Sequence, residues 1–204
     1  LLLEWLDLEG LTAASGAQLG TALAAQHRLP QAKFGWEKDN FIGASPQENG
    51  WSEDWLAFCG GKRIHAQLRM AMKKRYPSKM IDRGERLLTD CGEFFRTHKP
   101  VASLLHGDLW GGNASALADG TPVVFDPAVY CGDREADLAM TELFGGFGSD
   151  FYAAYREAWP LPPEYATRKI LYNLYHVLNH LNLFGGGYLA QAKGMMDRLL
   201  ASVH

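Results

Sequence analysis

His106-Gly107-Asp108-Leu109-Trp110-Gly111-Gly112-Asn113 follows the apolar run Val101-Ala102-Ser103-Leu104-Leu105 and precedes a predicted hairpin. An apolar run bounded by turn residues reads as a buried strand. The octapeptide then sets a histidine, a carboxylate and an amide in a glycine-rich loop at the strand's end, where a rigid scaffold can present polar groups. Downstream, a short strand near residues 114–117, a turn at Asp119-Gly120 and a strand over 122–125 form a returning pair that ends at Asp126. Asp108 and Asn113 are five positions apart, and Asp126 lies eighteen beyond Asp108. One short antiparallel pair is therefore expected to bring all three to a single rim.

Carboxylate and amide oxygens are hard ligands that suit Mg²⁺, which takes few protein ligands when it also binds substrate phosphates. A further carboxylate without a metal duty can align an attacking hydroxyl and take its proton, which is the division of labour of phosphoryl transfer. On this reading Asn113 and Asp126 hold metal and Asp108 faces the acceptor. Each residue alone is also an ordinary turn or capping residue; only the set discriminates.

Outward from the loop, the chain reads as mostly helical. A helix is expected over 15–29, ending at Pro30, then an ordered loop over 34–51. Ser52 is the expected cap of a helix carrying Trp55, Leu56, Phe58, Ile64, Leu68 and Met72, which ends at Pro77. One helix is expected over 79–97, and others over 135–144, 149–158, 164–183 and 188–203. Residues 1–8 read as an edge strand or a linker, and their abrupt apolar start predicts that the chain continues a longer one.

With 204 residues and 47% hydrophobic content the chain can bury a sizeable core. A formal charge of -3 offers no broad attraction for nucleic acid or anionic lipid. Cys59, Cys91 and Cys131 form neither a CxxC pair nor an even disulfide set, and no apolar run approaches the roughly 20 residues of a membrane span. A cytoplasmic protein with neither a membrane nor a nucleic-acid partner is expected.

HGDLWGGN followed by VVFDPAVYCGDREADLAMTELFGGF resembles the fructosamine kinase (ketosamine 3-kinase) family, itself similar to aminoglycoside and choline kinases and more distantly to protein kinases. FGWEKDNFIGASPQ, NGWSEDW and LYHVLNHLNLFGGGY extend the resemblance over essentially the whole chain. It implies an α+β, protein-kinase-like fold: a mostly helical C-terminal lobe, residues 9–204, around a small antiparallel strand cluster. It also implies ATP and Mg²⁺ as cofactors and a ketoamine acceptor, on a small molecule or a protein lysine. Asp108 matches the family's catalytic aspartate, Asn113 its metal-binding asparagine and Asp126 the aspartate that protein kinases carry in Asp-Phe-Gly. Residues 1–8 match the hinge, where Glu4, Trp5 and Leu6 would face adenine. The phosphate-covering loop, its lysine and the glutamate that positions it have no counterpart here. An N-terminal kinase lobe is thus an expected partner, and these residues alone are expected to be inactive.

Four further residues of the region draw a role. His106 is expected to brace the loop by a hydrogen bond. Trp110 either packs or offers its face to a sugar. Glu135 and Asp137 lie in a charged helix start whose acids match the helix dipole, and the resemblance implies that Asp137 points back to accept hydrogen bonds from the loop. His176 and His180 have i,i+4 spacing but lack the glutamate of HExxH, and the Gly145 and Gly185 clusters lack a P-loop's lysine, so both read as structural. Two competing functions remain at this point: a kinase for another amine alcohol of aminoglycoside or choline type, and a noncatalytic kinase-derived binding module.

Overall fold

Thr12 starts the first helix, α1 (Ala13–His27), through a reciprocal capping box: the Ser15 N–H donates to Thr12 Oγ1 and the Thr12 N–H to Ser15 Oγ. The computed structural model describes residues 4–203, in which helices surround three two-stranded antiparallel ribbons. Of the expected hinge, residues 1–3 lie outside the described part. Glu4 to Leu8 form no strand, and pairing begins only at Glu9, which exchanges both backbone hydrogen bonds with Ala116.

The stretch expected as a loop over 34–51 contains the first ribbon, β1 (Asn40–Ile42) and β2 (Ser45–Gln47), paired Asn40 to Gln47 and Ile42 to Ser45. Its buried positions include Ser45 and Gln47, so no apolar alternation marks it. Next come α2 (Trp55–Ala57), a π-helical stretch Phe58–His65 and α3 (Ala66–Lys73). The cap is Asp54 rather than Ser52, because Asp54 Oδ1 accepts from the Leu56 and Ala57 N–H groups while Ser52 Oγ bonds only to Asp54's backbone. Met72 is 55% exposed and Ala71 takes the inward position instead. The helix expected over 79–97 is shorter: α4 (Ser78–Thr89) stops before Asp90, and a 3₁₀ turn Cys91–Phe95 follows, containing the weak helix former Gly92.

β3 (Ala102–Leu105) leads to the glycine loop, which closes in a 3₁₀ turn Gly111–Asn113. β4 (Ala114–Ala116) and β5 (Pro122–Val124) then pair Ala114 to Val124. β6 (Tyr130–Asp133) was not foreseen as a strand; it pairs back onto β3, Leu105 to Tyr130 and Ala102 to Asp133. All four of its residues are buried, so it shows no alternation, and its glycine and aspartate mimic a turn. The remaining helices fall near their expected places: α5 (Glu135–Thr141), α6 (Ser149–Ala158), α7 (Tyr165–Phe184) and α8 (Gly187–Ser202).

α7 anchors the main core. Leu171, Leu174, Val177, Leu178 and Leu181 are fully buried with Ile64, Leu68, Met80, Leu87, Met196 and Leu199, each such side chain contributing about 1.5–3 kcal/mol. A second core packs α1 on α6 through Leu19, Leu23, Phe151 and Tyr155. There Gly20 permits close approach, since a Cβ would stand 2.3 Å from the Phe151 carbonyl oxygen. Aromatic side chains of Trp55, Phe58, Tyr130 and Tyr172 fill the space between these cores and the β3–β6 ribbon. Among the described residues no helix is long and apolar enough to cross a membrane, and all three cysteines are free and buried.

Candidate active site

The glycine loop leaves β3 under the control of one buried carboxylate. Asp137 Oδ2 accepts from the His106 N–H at 2.8 Å and Oδ1 from the Gly107 N–H at 2.8 Å. His27 Nε2 lies 3.2 Å from Oδ2, and His27 Nδ1 is 2.9 Å from the Tyr155 hydroxyl. Burial alone would raise the Asp137 carboxyl, but the hydrogen bond of His27 and those of the His106 and Gly107 N–H groups hold it below the ordinary range. His27 stands 110 residues from Asp137 in sequence and was not anticipated.

Within the loop, the Asp108 N–H donates to His106 Nδ1 at 3.3 Å, and His106 Nε2 lies 2.9 Å from the Phe125 carbonyl. With Nδ1 accepting, the proton belongs on Nε2, which donates to Phe125. The ring thus spans from the loop to the strand end before Asp126. Gly107 has φ +81°, and a Cβ there would meet the Ala128 carbonyl oxygen at 2.1 Å; no other residue combines that backbone with that contact.

Asp108, Asn113 and Asp126 are brought to the same end of the β4–β5 ribbon. Asn113 directly precedes β4, is buried, and donates from Nδ2 to the Asp108 carbonyl at 2.9 Å. The Asn113 carbonyl accepts the Phe125 N–H at 3.1 Å, which carries the ribbon's pairing up to the residue before Asp126. Asp126 itself is exposed and has φ +52°. That left-handed conformation is tolerated by aspartate better than by most residues and is concentrated at functional turns. Asp108 is half-buried, and burial raises its carboxyl above the ordinary value; His106 and His180 oppose the rise while Asp137 and Asp126 add to it.

Asp108 also lines a cavity of about 340 Å³ whose wall includes Ile42, Trp110, Phe144, His180, Phe184 and Tyr188. Trp110 is 38% exposed and its ring meets Phe144 edge-on at 6.2 Å, so packing and an open face coexist. His180 Nδ1 lies 2.8 Å from the His176 carbonyl, and its ring sits among Phe144, Phe184 and Tyr188 at 4.9–5.4 Å. Trp110 is the one residue of this wall that the sequence marks for a sugar; His180 reads as structural. His176 is buried and, chiefly by desolvation, is pushed down to about 3.

Four expected residues stand apart from this rim. Glu135 is fully buried and receives Arg168 on both oxygens, at 2.7 and 2.9 Å. It cannot touch substrate: of the two acids at the start of α5, only Asp137 reaches the loop. Glu4, Trp5 and Leu6 are exposed, with Trp5 Nε1 bonded to Asp7, on the segment that enters β4 through Glu9.

A helical lobe in which a buried aspartate holds such a loop, with an amide and a second carboxylate on the returning ribbon, defines the helical lobe of a protein-kinase-like fold. The fructosamine kinase family model matches residues 1–202, and the chain belongs to that family. It is 46% identical over 205 residues to a probable ketoamine kinase of Synechocystis sp., covering 98% of this chain and 67% of that protein. It is 40% identical over 202 residues to the chloroplastic protein-ribulosamine 3-kinase of Arabidopsis thaliana, covering 98% of this chain and 61% of that one. A crystal structure assigned as a fructosamine-3-kinase of Thermobifida fusca superposes with a TM-score of 0.89 at 32% identity, over 97% of this chain and 69% of that one. The chain thus spans about two thirds of the length of the curated relatives it matches.

Proposed function

We propose that the protein acts in the transfer of the terminal phosphoryl group of ATP to a sugar hydroxyl of a ketoamine, carried on a small-molecule amine or a protein lysine, as in the repair of glycated protein. The observation that carries this reading is the Asp108 carboxylate in the wall of an aromatic cavity, beside the ribbon end that bears Asn113 and Asp126. A cavity of about 340 Å³ suits a sugar and part of its amine, and the names of the relatives support the ketoamine class.

In this reading Asp108 orients the acceptor hydroxyl. As the hydroxyl oxygen forms its bond to phosphorus and the bond to the departing ADP oxygen breaks, the proton passes to Asp108. A carboxyl raised by burial is better matched to receive it than an ordinary aspartate. The donor set fits Mg²⁺: Asp126 is an exposed carboxylate, and Asn113, with its Nδ2 engaged by Asp108, keeps Oδ1 as an acceptor. What the ion supplies when bound is charge neutralisation at the phosphate oxygens. His106 and Asp137 hold the loop, and Trp110 offers a face to the sugar. Residues 9–204 form the catalytic and substrate lobe, and Glu4 to Leu6 present backbone groups to adenine as a hinge from an N-terminal kinase lobe.

Asp108→Asn in the full-length protein keeps size and reach but removes the proton acceptor. Single-turnover phosphorylation of a fructosamine or ribulosamine is expected to fall about 100-fold or more, with ATP affinity nearly unchanged. Transfer at the wild-type rate would remove Asp108 from this role. Activity on an amino alcohol and none on any ketoamine would keep the mechanism and overturn the substrate.

A further inference from the structure

The carboxylate of Asp126 receives no side-chain hydrogen bond among the described residues, although its backbone holds a left-handed conformation. Its position must therefore come from the chain on either side. On one side His106 and Asn113 hold Phe125. On the other, the carbonyls of Ala128 and Val129 are gripped by the β1–β2 ribbon: Gln47 Nε2 donates to Ala128 at 3.0 Å and Asn40 Nδ2 to Val129 at 2.8 Å.

The grip is itself prepared. Gln47 Nε2 also donates to Asn40 Oδ1 at 2.8 Å, and the Tyr175 hydroxyl donates to Gln47 Oε1 at 2.8 Å. These bonds leave both amides little rotational freedom, and each amide's orientation follows from its partners. The Ala128 carbonyl is thereby caught between Gln47 and the bare Cα of Gly107, one residue before Asp108. The same ribbon supplies Ile42 and Gly43 to the wall of the cavity at Asp108.

We infer that Asn40 and Gln47 are positioning residues for Asp126: by fixing the Ala128 and Val129 carbonyls they set where the Asp126 carboxylate meets its cation. The inference rests on the metal role proposed above for Asp126. It gives the polar side chains of the β1–β2 ribbon a purpose that packing does not supply, because Asn40 and Gln47 serve a backbone segment two and three residues beyond the ligand. Outer partners of this kind orient a ligand without touching the ion.

The experiment measures Mn²⁺ affinity of the full-length protein by electron paramagnetic resonance of the free ion, with a nonhydrolysable ATP analogue present and no acceptor. Asn40→Asp keeps the size of the side chain but turns an oxygen toward the Val129 carbonyl; Gln47→Met removes the donor to Ala128. Each is expected to weaken Mn²⁺ binding about tenfold, measured well below its own unfolding temperature. A purely structural role would lower that temperature and leave Mn²⁺ affinity at the wild-type value, which overturns the inference. Tyr175→Phe removes only the bond that holds Gln47 and is expected to weaken binding about twofold to threefold. Should the two stronger variants not fold, wild-type affinity in Tyr175→Phe overturns the inference. Asp126→Asn serves as reference: if it alone keeps full affinity, the metal reading itself fails, whereas loss there with none in the ribbon variants refutes only the positioning role.

Discussion

Two buried carboxylate–imidazole clusters sit within a few residues of each other at the junction of β6 and α5, and they do opposite things. At the first, Asp133 Oδ2 takes His98 Nε2 at 2.6 Å and the Tyr172 hydroxyl at 2.6 Å, while Arg168 grips Glu135 through both oxygens. Arg168 also donates to the Phe94 carbonyl at 3.3 Å. This cluster ties the segment before β3, the junction and α7 together, and its acceptors are mostly taken by side chains. At the second, Asp137 shares one oxygen with His27 but gives both to consecutive N–H groups of the glycine loop. The partner of the carboxylate, rather than its burial, separates fastening from positioning. His98, Asp133 and Glu135 have ligand atoms within 4.8 Å of one another, the spacing of a cation site. Arg168 and Tyr172 already answer that charge, so the trio reads as a fastener.

The largest expected effect breaks the first cluster. Arg168→Met would leave Glu135 buried beside Asp133 without its cation, and removing one partner of a buried pair costs about 3–5 kcal/mol. Urea denaturation should register that loss, while turnover per folded molecule stays at the wild-type level. Adding Glu135→Leu should return much of the stability. A change in turnover at full folding would join the two clusters that the geometry separates.

Next in size is Asp137→Asn. The amide can accept from one of the two loop N–H groups but points its own N–H at the other, so the loop must shift. Misplacement on the scale of 1 Å typically costs about 100-fold in rate, and turnover of the full-length protein should fall by that order. Stability carries a second signature. Because the folded Asp137 carboxyl is held below its ordinary value, its contribution is complete above pH about 4 and is lost as pH falls through the lower folded value. The Asn variant should lack this part of the acid limb in denaturation measured from pH 6 downward. An unchanged limb would mean that His27 and the loop do not hold the charge.

This contrast also separates what was legible in the sequence from what was not. The spacing of Asp108, Asn113 and Asp126 demanded a returning pair, and the register of Ala114 with Val124 delivers Asn113 and the residue before Asp126 to the same end. The long helices α6, α7 and α8 fall close to the spans expected for them. Asp137 and Glu135 look alike in sequence, both acids in the first turn of α5, yet residues two apart on a helix point to nearly opposite sides, so one meets the loop and the other Arg168. Long-range partners left no local mark: His27 approaches from α1, and part of the cavity wall comes from α7 and α8 residues that read as packing. The β1–β2 ribbon stayed hidden because its inward residues Ser45 and Gln47 are polar. β6 stayed hidden because burial on both faces erases alternation.

The smallest effect sharpens the second cluster at its far end. Tyr155 receives Arg134 at 3.3 Å on its hydroxyl oxygen, and Arg134 is held independently by the Trp159 carbonyl at 2.9 Å and over the Trp159 ring at 3.9 Å. The Tyr155 proton is therefore free to go to His27 Nδ1, which makes Nε2 the protonated nitrogen and the donor to Asp137. Tyr155→Phe removes that instruction without touching Asp137 or the loop. Loss of the neutral bond to His27 and the long one from Arg134 should together cost about 1–2 kcal/mol of stability. Turnover should fall only about twofold to threefold, because His27 can still donate from Nε2 once it has that tautomer. The decisive readout is the nitrogen NMR of the imidazoles. In the wild type, His27 should carry its proton on Nε2, and in the variant a second tautomer should appear at His27 while His98, in the other cluster, keeps its signal. A single unchanged tautomer at His27 would mean that Asp137 alone sets the ring, and Tyr155 would then belong to the packing of α1 on α6.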